Sequence, residues 1–171
     1  MNIESLFTCS VPVLYKDLSN TASVAYYDLY KDEIVMCNKT IKNFPLCKDI
    51  VYLHEMFHSS GYHKRSLRRL RLDRAFEENA GRVEECIAEI CTMISLHALG
   101  MLTSYTTLIP EDGINKNYGD DIYIPWVEVV STLNYFKNDG INLYESTSEI
   151  KRMMNSKFNM NIKDNYERSG N

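Results

Sequence analysis

Leu53-His54-Glu55-Met56-Phe57-His58-Ser59-Ser60-Gly61 is the stretch on which the reading of this chain turns. Ile50, Leu53 and Phe57 recur at helical spacing around it, which predicts a helix over residues 47–59 that starts after the Asn43-Phe44-Pro45 break. On that helix His54 and His58 leave one face a single turn apart, a geometry that can bind one zinc ion. Glu55, beside the first histidine, is placed to take a proton from a zinc-bound water whose pKa the cation lowers towards about 7. Gly61 reads as the stop of the helix, in the left-handed conformation.

A catalytic zinc needs a third protein ligand. In the extended pattern HExxHxxGxxH the ligand position falls on Lys64, and His63 lies one residue short. A glutamate from a later helix fits better. Val83, Ile87, Ile90, Ile94 and Leu96 form an apolar stripe over 83–99, with Gly100 as its stop, and Glu84-Glu85-Cys86-Ile87-Ala88-Glu89 lies on that helix. Glu85 and Glu89 sit one turn apart, so Glu85 suits the metal, while Glu89 suits the distal nitrogen of a ligand histidine. Glu84 competes with Glu85 for the ligand place. The two differ in direction by about 100°, so only one can face the metal, and the i+4 partner favours Glu85. His63 and His97 lack comparable partners and read as structural or surface residues, and Tyr52, Phe57 and Met93 read as core.

The rest of the chain predicts an α+β fold in one domain over residues 1–171, with 1–46 mainly β, 47–100 the zinc-binding helices, 120–155 two C-terminal helices and 156–171 a loose tail. Residues 22–36 read as strand, turn, strand, and this hairpin, ending near Val35-Met36-Cys37, could supply an edge strand to which an extended peptide adds. Pro125 suits the first turn of a helix through Phe136 that Gly140 ends. Ser146 and Glu149 match a capping box for a last helix through Met154.

With 44% hydrophobic and 25% charged residues, the 171-residue chain has the composition of an ordinary single-core protein. Neither a membrane span nor a signal peptide is visible, and the five cysteines lack CxxC spacing, so reduced, mostly buried thiols in a cytoplasmic protein are expected. The frequent asparagine, lysine, tyrosine and isoleucine have a phage-like flavour. The net charge of −4 conceals a basic stretch, Lys64, Arg65, Arg68, Arg69, Arg71 and Arg74, interrupted by one acid, Asp73. Such a stretch can contact nucleic acid, and equally can be a solvated helix face.

Leu53 to Gly61, the basic segment and Glu84 to Ile90 together resemble the zincin-like metallopeptidase domain of ArdC-type antirestriction proteins and phage polyvalent proteins. Tyr123-Ile124-Pro125-Trp126 followed by Lys137-Asn138-Asp139 extends the likeness, which covers roughly residues 25–154. The resemblance implies His54 and His58 as zinc ligands, Glu55 as general base and Glu85 as third ligand. Tyr123 falls on a tyrosine of the family pattern, where a phenol near the metal would donate to the oxyanion; packing or capping its helix is the ordinary alternative. With only about 45 residues ahead of the zinc helix, the single-stranded-DNA-binding domain that precedes the peptidase in ArdC-type proteins is not expected here, and Gly61-Tyr62-His63-Lys64 is one residue out of phase with the usual Gly-His-Lys. The expected function is therefore a zinc metallopeptidase acting on a protein or peptide. A metal-bearing module that binds a host protein or nucleic acid without cutting it is the alternative, and hydrolysis of a non-peptide amide is a third reading.

Overall fold

The computed structural model describes residue 7 and residues 10–18, 24–43, 45–62, 80–101, 123–136, 143–157 and 161–163. Three strands come first: β1 (Val13–Lys16), β2 (Ala25–Asp28) and β3 (Glu33–Cys37). The hairpin expected from the tyrosine-rich segment is β2–β3, antiparallel, with Tyr26 opposite Val35. Its turn is built by Asp28, whose Oδ1 accepts the amides of Tyr30 and Lys31 at 3.0 and 3.1 Å, and by Asp32, which adopts a φ of 55°. The unanticipated strand is β1, which pairs parallel to β3 and gives the order β1-β3-β2.

That order decides which strand of the hairpin is the edge. The strand carrying Val35, Met36 and Cys37 is central and bonded on both sides, so among the described residues the hairpin's edge strand is β2, and β1 is the other outer strand. Burial explains the choice, since Ile34, Val35 and Met36 are wholly buried, whereas β1 and β2 expose Leu14, Tyr15 and Tyr26.

Behind the sheet run α1 (Asn38–Asn43), α2 (Pro45–Ser59) and α3 (Ala80–Ala98). Leu53, Met56 and Phe57 of α2 and Ile87, Ile90 and Ile94 of α3 are fully buried in a core shared with Ile34 and Met36. Phe57 is a hub of that core, meeting Phe7 and Phe136 edge to face at centroid distances of 6.2 and 5.6 Å. Tyr52 and Met93 are buried there too, as their spacing predicts.

The helix ends divide the two glycine expectations. Gly100 has φ 70°, its amide bonds His97 O and that of Met101 bonds Leu96 O, the pair of bonds that closes a helix in the left-handed stop. Gly61 has no positive φ; α2 instead ends on the hydroxyls of Ser59 and Ser60, which bond Met56 O and Phe57 O at 2.6 and 2.7 Å. The final carbonyls, those of His58 and Ser59, accept the amides of Gly61 and Tyr62 in a tightened last turn, so no left-handed residue is needed.

Further along come β4 (Tyr123–Pro125), α4 (Trp126–Tyr135), α5 (Leu143–Lys157) and β5 (Asn161–Lys163), with β4 and β5 paired in parallel. Pro125 therefore caps α4 from an extended conformation instead of lying in its first turn, and the helix stops at Tyr135, ahead of Gly140. The capping box also fails: Ser146 lies inside α5, buried, with Oγ 2.8 Å from His97 Nδ1, while Glu149 pairs with Arg152. The helix begins a turn earlier because Leu143 reaches the core and the buried Ser146 has a partner in His97, which outweighs a local capping preference. His97 is thus a structural residue. The expected loose tail is in part ordered, with α5 running to Lys157 and β5 beyond it.

Cys37, Cys86 and Cys91 are buried thiols outside any disulfide. Among the described residues no helix is long and apolar enough to cross a membrane. The basic stretch from Lys64 to Arg74, with His63, Cys9 and the loop expected at 111–121, lies outside the described residues.

Candidate metal centre

Helices α2 and α3 pack side by side, and the facing stripe between them carries the charged residues of both motifs. His54 and His58 project together from α2, their rings 4.7 Å apart and nearly perpendicular, with the two Nε2 atoms 3.0 Å from each other. Glu85 of α3 faces both, at 3.2 Å from His54 Nε2 and 3.5 Å from His58 Nε2. Ligand atoms of these three side chains all lie within 4.8 Å of one another, so the group could hold a metal ion.

The far nitrogens are held as well. Glu89 Oε2 lies 3.2 Å from His54 Nδ1, the contact expected of it. Glu84 Oε1 lies 3.0 Å from His58 Nδ1. Glu84 therefore does not compete with Glu85 for the space between the Nε2 atoms; it occupies the opposite side of the second ring. The divergence that made one of the pair redundant as a ligand is what sends the other there, since neighbours on a helix point about 100° apart. Glu84 is only 2% exposed, whereas the Glu85 side chain is 51% exposed, which places Glu85 at the open side.

A cleft of about 420 Å³ opens over these groups. Its floor is His54, Glu55, His58, Gly81, Glu84 and Glu85, and its opposite wall is Ala25, Tyr26, Tyr27 and Leu29 of β2 and the following turn. The wall is fixed by Tyr27, whose hydroxyl donates to Asp32 at 2.6 Å. Sequence reasoning missed this wall, because nothing in a period-two pattern says which outer strand will lie beside the zinc helix. It missed the place of Glu84 although the signal, two adjacent glutamates on the facing helix, was visible.

The electrostatics follow from the carboxylates. Burial works against a charged ring at His54, but Glu85 and Glu89 outweigh it and push its pKa up to about 9. Burial opposes charge at His58 also, and there Glu84 and Glu85 win, raising it to about 10. Burial acts against the Glu85 carboxylate, yet the two histidines hold it well below the usual carboxylate range. Burial, with Glu89 and Glu85 nearby, pushes the Cys86 thiol up to about 12, which leaves it inert as a nucleophile.

The donor set suits zinc: two imidazoles whose outer nitrogens are engaged by carboxylates, one glutamate, and an open cleft at the fourth side. The zincin-like metallopeptidase family model matches residues 11–108, more than half of the chain. The chain belongs to the zincin-like metallopeptidase family. No curated protein and no solved structure matches it. The matched stretch of this zincin runs from just before β1 to just past α3, so it takes in the cleft wall and the histidine and glutamate helices. Tyr123 lies beyond it, at the start of β4, and its side chain falls outside the described residues.

Proposed function

We propose that the protein is a zinc-dependent peptidase in which His54, His58 and Glu85 hold the metal and Glu55 is the general base. The observation that carries this reading is the convergence of both Nε2 atoms and the Glu85 carboxylate at the floor of a cleft that Glu55 also lines. When bound, zinc acidifies water and polarises a substrate carbonyl. Glu55 accepts the proton of the attacking water and returns it to the leaving amine, as a carboxylate within reach of the reacting atoms can. Glu89 holds His54 through Nδ1 and so keeps its Nε2 turned to the cleft. Two histidines and one carboxylate favour zinc over calcium or magnesium, which take mainly oxygen ligands.

The substrate is a protein or peptide lying extended beside β2, the outer strand that walls the cleft, where it adds to the sheet and sets its backbone across the catalytic groups. Of the hairpin's two strands, β2 is the one with the docking edge. Tyr123 is retained as a candidate hydrogen-bond donor to the oxyanion. The test is Glu55→Gln against a peptide library, with metal content measured on the same samples. Retained zinc and lost hydrolysis support the assignment, and retained hydrolysis removes Glu55 as the base.

A further inference from the structure

We infer that Glu84 is the positioning residue of His58, so that α3 alone supplies the metal's glutamate and the carboxylates that orient both histidines. The inference rests on the proposed zinc site. A carboxylate only accepts hydrogen bonds, so its 3.0 Å contact requires His58 Nδ1 to carry the proton, which leaves Nε2 as the lone-pair side facing Glu85 and His54. Without that acceptor the ring is free to protonate on Nε2 instead, and the proton then occupies the ligand position. The charge of Glu84 also draws the Nδ1 proton and makes Nε2 a stronger donor to a cation.

Geometry separates this role from the two alternatives. As a metal ligand, Glu84 would have to reach the Nε2 side of the ring, but it sits on the Nδ1 side, while Glu85 is the residue within 3.5 Å of both Nε2 atoms. As a mere solvated helix charge it would be exposed, yet Glu84 and His58 are 2% and 7% exposed. The spacing in Glu84-Glu85-x-x-x-Glu89 accounts for all three placements. Glu85 and Glu89 differ in helical direction by about 40° and share the His54 end, and Glu84, about 100° from Glu85, reaches past it to the ring one turn further along α2.

The experiment compares the wild type with Glu84→Gln, Glu84→Ala and Glu85→Ala in zinc affinity, by chelator competition, and in the histidine ring ¹⁵N shifts of the zinc-loaded protein. The expected result is a His58 protonated on Nδ1 in the wild type and zinc binding about 10- to 100-fold weaker in Glu84→Ala. Glu84→Gln, which keeps an acceptor oxygen but loses the charge, should fall between; being isosteric, it carries the test if the alanine variant fails to fold. Wild-type affinity and unchanged His58 shifts in both Glu84 variants would overturn the positioning role alone. Zinc lost in Glu84→Ala but kept in Glu85→Ala would overturn it by making Glu84 the ligand. A wild type that takes up no zinc would overturn this inference together with the proposed site.

Discussion

Lowering the pH should weaken zinc binding about tenfold per unit over roughly pH 6 to 8. The reason lies in the proton inventory of the cluster. Both Nδ1 atoms donate to carboxylates, Glu89 and Glu84, and the two Nε2 atoms 3.0 Å apart have room for one further proton between them. That proton is retained at neutral pH, because the surrounding glutamates raise the histidines to about 9 and about 10. Glu85 has already lost its own. Zinc must therefore expel one proton, so its apparent affinity rises with pH in proportion, about 100-fold over two units, and levels off only as the pH passes through 9 to 10. Calorimetry in buffers of differing ionisation enthalpy counts the proton directly. The metal-free protein should respond in the opposite sense. Groups whose folded pKa exceeds the unfolded 6.5 add stability that is complete below that pH and lost as pH rises through 9 to 10, on the order of 3 kcal/mol for His54. A zinc affinity that is flat between pH 6 and 8, with no proton released, would refute this account of the cluster.

Phe57→Ala should cost about 3–5 kcal/mol, because the ring is fully buried and meets two other aromatic rings; chemical denaturation measures it, and a loss under about 1 kcal/mol would contradict the core described here. Replacing Arg68 and Arg69 with alanine should leave peptide hydrolysis intact, whereas a biological effect that depends on those arginines and ignores Glu55→Gln would favour the binding module over the peptidase.

The centre was legible because its geometry is local. Two histidines at i and i+4, and two glutamates at the same spacing, present themselves on helix faces whatever the rest of the fold does, so spacing groups His54 with His58 and Glu85 with Glu89. Helix stops were legible only where the backbone demanded glycine: Gly100 does so, whereas near Gly61 a tightened turn and two serine hydroxyls close the helix. What depended on distant partners was not. β1 is four residues whose pairing with β3 is parallel and nonlocal, and that pairing decides which strand is left at the cleft. Ser146 matches a capping pattern, but it is buried and its partner is His97, far away in sequence. Glu84 reads as a rival ligand in sequence because the ring it contacts belongs to another helix, and spacing says nothing about which side of that ring it meets.

The most direct test of the central claim is the zinc content of purified wild-type protein beside His58→Ala and Glu85→Ala. The account predicts about one zinc per chain in the wild type and its loss in both variants. A folded wild type without zinc, or an unaffected Glu85→Ala, would contradict it.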